Sequence, residues 1–289
     1  MKQHFIFAIL LVFIIASSNS HAQEGYVNDN LSMKSKILKT DKNYAIYLPP
    51  DYNSSERSYP ILYLLHGATD NHTGWVQFGE VKHITDKAIK EGKATPMIIV
   101  MPDADTKRMG YNNTIDGKWD YEDFFFEEFM PYIEDKYRVK KEKRYRAISG
   151  LSMGGGGTLF YAMHHPELFS SACPLSAWVG YNSVEDVKRY NDVKTDKYSD
   201  KEYQDYISKY SALRMSEEME VKDLNSVRWY IDCGDDDFLY EGNSLLHINF
   251  KKRGVNHEYR VRDGAHTWTY WRESLPEVLS FISDAFHQY

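Results

Sequence analysis

Two short runs of consecutive apolar residues constrain the fold of this 289-residue chain more than any other feature. They cover Pro60–Leu65 and Pro96–Met101. An apolar run without polar alternation is typical of a strand that is buried on both faces, as in a parallel sheet covered by helices. Helical spacing of apolar residues follows in Tyr121–Tyr137. The pattern predicts an α/β fold with a mostly parallel central sheet and helices on both faces.

The rest of the chain keeps this alternation of strands and helices. Further predicted strands are Tyr44–Leu48, Arg144–Ser149, Ser170–Leu175, Arg228–Cys233 and Glu258–Arg262, and further predicted helices are Leu151–His164, Leu245–Arg253 and Leu275–Phe286. Because no repeat or linker interrupts the pattern, we expect residues 23–289 to form one domain. The charged, tyrosine-rich stretch 179–225 breaks the rhythm, so we expect it to be a lid-like insertion after the sixth strand of the sheet.

The first 22 residues have the plan of a secretory signal peptide. Lys2 supplies a positive charge, Phe5–Ala16 is a continuous apolar run, and polar residues follow it. Small residues stand three and one positions before a cleavage site, at Ser20 and Ala22. The run is shorter than the roughly 20 residues that span a bilayer. We therefore expect cleavage near Ala22, no membrane anchor afterwards, and a secreted or periplasmic protein.

The net charge argues against a nucleic-acid partner, and the spacing of potential ligands argues against a metal ion. The formal net charge is −7, so a nucleic acid is a disfavoured partner. Two cysteines, Cys173 and Cys233, cannot form a zinc site of four thiolates, and the histidines lack the His-Glu-x-x-His spacing. We therefore expect no metal and no cofactor.

A glycine-bounded serine follows one of the predicted strands. Residues Gly150–Gly154 match the pattern Gly-x-Ser-x-Gly, with a strand before them and a helix after them. In this context the pattern is typical of a nucleophile elbow, in which a sharp turn holds the serine above the sheet. We therefore interpret Ser152 as a catalytic nucleophile. The alternative is a glycine-rich turn that binds an anion.

A serine hydroxyl is a weak nucleophile and needs a general base. His266 lies within Gly264–Trp268, just after the last predicted strand. A loop at that place returns over the carboxyl edge of the sheet, close to the serine. Among the eleven histidines, His266 alone is both after the last strand and in a glycine-bounded loop, so we interpret it as the base.

Position in the chain does not identify the acidic partner of the base as clearly as it identifies the base itself. Three consecutive candidates, Asp235 to Asp237, follow the predicted strand Arg228–Cys233, which is where the third member of such a site belongs. Asp232 lies inside that strand, and Asp263 is only three residues from His266, so both are poorer candidates. The residues alone leave the choice among the three open.

Acyl transfer also needs hydrogen-bond donors for the developing oxyanion. One is the backbone N–H that follows the nucleophile, at Met153. The other is expected from the loop after the first buried strand, where Gly67 permits a turn and Ala68 offers its N–H. We interpret the preceding His66 as a residue that shapes this loop, and not as a second base.

Five stretches of the chain resemble a known family. They are YPILYLLHGATDNHTGW, FFFEEFMPYIEDKYRV, YRAISGLSMGGGGTLFYAMHHPELF, CGDDDFLYEGN and DGAHTWTYW. Together they resemble the "Putative esterase" (esterase D-like) family of α/β-hydrolases. That family includes feruloyl and acetylxylan esterases of carbohydrate esterase family one, S-formylglutathione hydrolases and mycolyl transferases. The resemblance implies an α/β-hydrolase fold over nearly the whole chain after residue 22.

The resemblance also implies roles for single residues. Feruloyl esterases of this family carry a Cys-Gly-x-x-Asp pattern whose last residue completes the triad, and here that residue is Asp237. The implied triad is Ser152, Asp237 and His266. The implied oxyanion donors are the N–H groups of Ala68 and Met153.

Resemblance and export together suggest a secreted serine carboxylesterase. Its expected substrate is a small ester or an ester-decorated plant polysaccharide, from which it releases feruloyl or related hydroxycinnamoyl groups. The alternative is an acetylxylan esterase or a general short-chain carboxylesterase. Two less favoured alternatives are an acyltransferase and a non-catalytic carbohydrate-binding protein. Aromatic residues near the predicted site are expected to contact the substrate. They are Trp75, Trp178, Tyr181, Trp268 and Trp271.

Overall fold

The computed structural model describes residues 24–104, 110–191 and 197–287. The expected signal peptide and its cleavage site lie outside these residues. The strands are β1 Tyr26–Lys34, β2 Asp41–Leu48, β3 Ile61–Leu65, β4 Ile98–Pro102, β5 Arg146–Leu151, β6 Ser171–Leu175, β7 Arg228–Gly234 and β8 His257–Arg262. The helices are α1 Gly74–Gln77, α2 Val81–Lys90, α3 Tyr121–Asp123, α4 Met130–Lys136, α5 Met153–His164, α6 Val184–Tyr190, α7 Asp200–Lys209, α8 Ala212–Glu218, α9 Val221–Leu224, α10 Tyr240–Arg253 and α11 Trp268–His287.

The eight strands found in the described residues form one sheet in the order β1-β2-β4-β3-β5-β6-β7-β8. β1 pairs antiparallel with β2, and β2 pairs antiparallel with β4. Every other neighbouring pair is parallel, from β4 through β8. The prediction of a mostly parallel central sheet is therefore confirmed. The carboxyl ends of β3, β5, β7 and β8 lie at one edge, so the loops that follow them meet there.

Strand β3 shows why a continuous apolar run forms the centre of this sheet. Its five residues are all fully buried. Ile61, Tyr63 and Leu65 belong to the core on one face, and Leu62 and Leu64 belong to the core on the other. Because successive side chains of a strand point to opposite faces, both faces need apolar partners. Helix α5 contributes to the first core, and helices α2 and α11 contribute to the second.

The helical segments differ from their predicted bounds at a few ends. The segment predicted as one helix over 121–137 consists of α3, a π-helical turn at Phe124–Phe129, and α4. Helix α10 begins before the predicted Leu245 but ends as predicted at Arg253, where Gly254 has a positive φ of 72°. Helix α11 begins at Trp268 instead of Leu275, and it accommodates Pro276. A left-handed glycine is a common helix end because it lacks a Cβ.

The insertion 179–225 follows β6 and contains α6, α7, α8 and α9. Its described part packs against the body of the fold, with Tyr181, Ile207 and Tyr210 buried in the same core as α5. Helix α8 lies against α5 and α10. In the described residues the insertion is therefore a helical layer that packs on the body of the fold.

Two further observations bear on the chemistry of the chain. Cys173 and Cys233 are both buried free thiols, on β6 and β7. No helix within residues 24–104, 110–191 and 197–287 is both long and apolar enough to span a membrane.

Candidate active site

Ser152 occupies the sharp turn between β5 and α5. Its backbone has φ 56° and ψ −116°, a conformation that is costly for any residue with a side chain. Three backbone hydrogen bonds hold it in place. Its N–H donates to the carbonyl of Leu175 at 2.9 Å, and its carbonyl accepts from the N–H groups of Gly156 and Trp178, each at 3.0 Å. The turn is thus fixed by its surroundings, as expected of a nucleophile elbow.

The two glycines of the motif are required by close backbone approach. A Cβ on Gly150 would lie 2.5 Å from the carbonyl oxygen of Gly154. A Cβ on Gly154 would lie 2.6 Å from the carbonyl oxygen of His66. Any side chain at either position would force the backbone of the elbow apart. The Gly-x-Ser-x-Gly spacing is therefore a packing requirement of this turn.

His266 and Asp237 meet above the carboxyl ends of β8 and β7. The His266 Nδ1 lies 2.8 Å from Oδ2 of Asp237. Because an ionised carboxylate can only accept, Nδ1 carries the hydrogen and Nε2 keeps its lone pair. Asp235 and Asp236 are exposed, and Asp235 accepts from the N–H of Gly264 at 3.0 Å. Of the three consecutive aspartates, the structure brings Asp237 to the imidazole.

The surroundings of Asp237 keep its side chain ionised. The residue is 1% exposed, and burial alone would raise its pKa. Hydrogen bonds from His266, from the N–H of Leu239 at 2.8 Å, and from the Ser176 hydroxyl outweigh burial and lower the pKa of Asp237 below its usual value. Asp237 is thus an anion at neutral pH beside the imidazole.

Ser152 and His266 line the same cavity, which has a volume of about 370 Å³. Both side chains are partly exposed. The other lining residues are Gly67, Ala68, Thr69, Asp70, Phe78, Leu151, Trp268 and Trp271. One concave site therefore holds a hydroxyl and an imidazole that is hydrogen-bonded to a buried carboxylate, a set of groups suited to nucleophilic catalysis.

Two backbone amides are available beside Ser152. Met153 is the first residue of α5, so its N–H has no partner inside the helix. Ala68 lines the cavity, and a Cβ built on the preceding Gly67 would lie 3.5 Å from the Cβ of Ser152. Within the described residues, neither N–H donates to another protein group. The two donors can therefore serve an anion that forms at the serine.

His66 has a structural position, as the sequence predicts. It is buried, its Nε2 accepts from the N–H of Ala104 at 3.0 Å, and its Nδ1 lies 2.8 Å from the carbonyl oxygen of Gly67. The first contact makes Nε2 an acceptor, so Nδ1 is the donor to Gly67. Both ring nitrogens are thus used to hold the loop that carries Ala68.

The five aromatic residues that were expected to contact substrate lie in different surroundings in the structure. Trp268 and Trp271 line the cavity, whereas Trp178 lines a neighbouring one. The prediction is wrong for Trp75, which is fully buried and donates its indole N–H to the carbonyl of Leu65 at 3.0 Å. It is also wrong for Tyr181, which is fully buried with its hydroxyl against Asn112 and Asn191. Both side chains belong to the core and cannot reach a ligand.

Two phenylalanines at the site were missed from the sequence. Phe78 is 50% exposed, lines the cavity and packs near Trp268. Phe238 is 72% exposed, and its ring centroid lies 4.4 Å from that of His266. Phe238 directly follows Asp237 in the chain, which is a signal that could have found it. Phe78 lies between α1 and α2 and carries no comparable signal.

A cluster of three aspartates lies near the site. The carboxylates of Asp235, Asp236 and Asp263 have oxygens within 4.8 Å of one another, and all three are exposed. None of the three is among the residues described as lining the cavity of Ser152.

The sequence matches the family model described as "Putative esterase" over residues 35–282. It is 34% identical over 246 residues to an endo-1,4-beta-xylanase/feruloyl esterase of Xylanibacter ruminicola, which covers 82% of this chain and 28% of that protein. The chain thus spans little more than a quarter of the length of that relative. An acetyl esterase of Caldicellulosiruptor saccharolyticus is 21% identical over 272 residues, covering 88% of this chain and 97% of that protein.

The fold is shared with a solved ferulic acid esterase. That structure has a TM-score of 0.81 and 35% sequence identity, and the match covers 91% of this chain and 99% of the other. The prediction of an α/β-hydrolase fold is therefore confirmed.

Proposed function

Because the chain belongs to the "Putative esterase" family and has its fold, we propose that it is a serine carboxylesterase with Ser152, His266 and Asp237 as its catalytic triad. The observation that carries this proposal is the hydrogen bond from His266 to the buried Asp237 carboxylate, in a cavity that His266 shares with the strained Ser152. The three groups are of the chemical types that acyl transfer requires, and the contact from His266 to Asp237 is the one by which an acid orients the base.

The proposed reaction has two halves. His266 Nε2 removes the hydroxyl proton of Ser152 as the serine oxygen attacks the ester carbonyl. The N–H groups of Ala68 and Met153 bind the oxyanion, and the ionised Asp237 stabilises the imidazolium. His266 then gives the proton to the alcohol oxygen as the C–O bond breaks, leaving an acyl-serine. Water repeats the same steps and releases the acid.

We propose a hydroxycinnamoyl group, such as feruloyl, as the acyl part of the substrate. Trp268, Trp271 and Phe78 line the cavity, and aromatic rings bind planar phenolic groups well. The feruloyl esterase relative and the ferulic acid esterase structure support this choice. The similarity to an acetyl esterase over nearly its whole length supports a short acetyl group as the second candidate.

We also propose that the protein is exported after removal of residues 1–22 and acts on ester-decorated plant polysaccharide. The signal-like pattern of those residues supports export. The intact mass of protein recovered outside the cytoplasm tests it, since cleavage before Gln23 gives a defined mass. Full-length protein retained in the cytoplasm would contradict export.

The acyl group is tested by comparing kcat/KM on methyl ferulate, methyl p-coumarate, 4-nitrophenyl acetate, acetylated xylan and a long-chain fatty acyl ester. We expect the methyl hydroxycinnamates to be the better substrates and the long-chain ester to be poor. Preference for the acetyl esters without hydroxycinnamate cleavage would favour the second candidate. Preference for the long chain would contradict both.

A further inference from the structure

A second cavity of about 260 Å³ lies next to the proposed catalytic residues. The first part of the insertion and the beginning of α10 form it together. Its side chains combine aromatic rings with hydrogen-bonding groups: Trp178, Asn182, Asp186, Tyr190, Phe238 and Glu241. The mechanism described above uses none of these side chains.

Phe238 connects the second cavity to the catalytic base. It lines the cavity, and its ring centroid lies 4.4 Å from that of His266 at an interplanar angle of 48°. Trp271, whose ring centroid lies 4.9 Å from that of His266, lines the cavity of Ser152. His266 therefore contacts one aromatic ring from each cavity, Phe238 of the second and Trp271 of the first.

The reaction dictates which part of a substrate lies beside His266. The imidazolium must deliver its proton to the alcohol oxygen while the bond from that oxygen to the acyl carbon breaks. The alcohol must therefore be within hydrogen-bond reach of His266, and a bulky alcohol must continue past it. Phe238 packs beside the imidazole and lines the second cavity, so that cavity is within reach of such an alcohol.

The second cavity has the chemistry that binds a sugar. Aromatic rings pack against the C–H faces of sugar rings, while carboxylates and amides accept and donate to their hydroxyls. The ring of Trp178 is held by edge contacts with Tyr181 at 5.0 Å and Tyr190 at 5.7 Å. Asp186 accepts the N–H groups of Asn182 and Ser183 through Oδ2, which leaves Oδ1 able to accept a hydroxyl.

The position of Phe238, against the imidazole and in the wall of the second cavity, is the feature that points to a ligand. The residue is 72% exposed. Aromatic side chains that line a cavity beside a few polar groups, as Phe238, Trp178 and Tyr190 do here, are typical of a ligand-binding site. We propose that the second cavity binds the sugar of a sugar ester while the acyl group occupies the cavity of Ser152, an inference that rests on the proposed esterase function.

A matched pair of substrates tests this. Methyl ferulate and a feruloylated arabinoxylo-oligosaccharide share the acyl group and differ in the alcohol. We expect wild-type kcat/KM to be at least about tenfold higher for the oligosaccharide, because binding of the remote sugar contributes to the transition state. In Phe238→Ala the ratio of oligosaccharide to methyl ester should fall about threefold to tenfold, the loss of one stacking contact.

Two further variants make the test specific. Glu241→Ala removes a lining carboxylate that is not in contact with His266 and should lower the same ratio. Tyr26→Ala removes an exposed aromatic ring from β1, at the far edge of the sheet, and should leave the ratio unchanged. A ratio near one in the wild type, or a ratio unchanged in both Phe238→Ala and Glu241→Ala, would overturn the proposal.

A binding measurement separates this proposal from the proposed function. The Ser152→Ala protein is titrated with the arabinoxylo-oligosaccharide that carries no ester. Saturable binding that Phe238→Ala weakens about threefold to tenfold supports the sugar site even if the wild type hydrolyses neither ester. Absence of binding, or binding that Phe238→Ala does not change, would contradict the sugar site even if both esters are hydrolysed.

Discussion

His266 donates its Nδ1 hydrogen to Oδ2 of Asp237 across 2.8 Å, although the two residues are 29 positions apart in the chain. The contact joins the loop after β8 to the loop after β7, two strands that pair in parallel. It fixes the tautomer of the imidazole and places a negative charge where an imidazolium would form.

Asp237→Asn should lower kcat by on the order of 10³- to 10⁴-fold, because an amide can present its N–H₂ group and favour the wrong tautomer of His266. Asp235→Asn and Asp236→Asn are matched controls, since both side chains are exposed, and they should remain within about threefold of wild type. Steady-state kinetics on methyl ferulate and 4-nitrophenyl acetate measure all three. A near wild-type Asp237→Asn beside an impaired neighbour would refute the assignment.

Ser152→Ala should lower kcat by several orders of magnitude, by about 10³-fold or more, while the protein stays folded. Ser152→Gly should be equally inactive but more stable than Ser152→Ala by about 1 kcal/mol. Glycine relieves the cost of φ 56°, which exceeds the entropy that glycine adds to the unfolded chain. Urea denaturation of the two variants measures the difference. Retention of more than about a tenth of wild-type activity in either variant would exclude Ser152 as nucleophile.

Ser176→Ala should lower kcat by about tenfold or more, because it removes a donor to the charged Asp237. Ser176 is fully buried, and its hydroxyl also accepts the indole N–H of Trp271 at 3.1 Å. Without it the pKa of Asp237 should rise, since one of the hydrogen bonds that lower it is lost. Asp237 then becomes protonated at a higher pH than in the wild type. The acid limb of the pH profile of kcat/KM is therefore expected to move to higher pH.

Ser149→Ala is the matched control for Ser176→Ala. Ser149 is an equally buried serine, on β5, whose hydroxyl donates to the carbonyl of Cys173 at 2.7 Å. Its removal should cost stability without changing the pH profile. Equal kinetic effects of the two substitutions would show that Ser176 acts only through stability.

Glu122→Gln should destabilise the protein at neutral pH and much less in acid. Glu122 is buried and is contacted by His164 and by the Tyr210 hydroxyl, each at 2.6 Å. Burial would raise its pKa, but these hydrogen bonds and the charge of Lys209 lower it. A lowered pKa in the folded state gives stability that is present above the unfolded value of 4.5 and is lost as pH falls through the folded value.

Urea denaturation of wild type and Glu122→Gln at pH 7 and pH 3.5 measures this. We expect a loss of about 1.5–3 kcal/mol at pH 7, the range for a hydrogen bond to a charged group, and a smaller loss at pH 3.5. A difference that is the same at both pH values would show that the ionised form of Glu122 contributes nothing.

Much of the sheet could be predicted because its inner strands have few alternatives. A run such as that of β3 can be buried on both faces only within a covered sheet. Strand β1 was missed because its sequence YVNDNLSMK is largely polar and lies at the edge of the sheet, where most of its side chains remain exposed. Its position depends on pairing with β2, which local sequence does not encode.

The candidate site was predictable to the extent that position along the fold determines it. Ser152 and His266 follow particular strands, and topology alone brings their loops to one edge. The choice of Asp237 over Asp235 depends on turn geometry after β7, which the residues did not fix and the family pattern did. Trp75 and Tyr181 were predicted wrongly because both are buried in the core. An aromatic residue that is close to a site in the sequence can equally well pack inside the core.

The strand order also has a consequence for how activity arises as the chain is made. The proposed donors and catalytic groups follow β3, β5, β7 and β8, so the sheet's last strand carries the base. A nascent chain can form the elbow of Ser152 while it still lacks His266, and it then has a nucleophile that nothing deprotonates. Hydrolysis should therefore begin only when β8 docks on β7. Recovery of turnover during refolding should accordingly lag behind burial of the central strands.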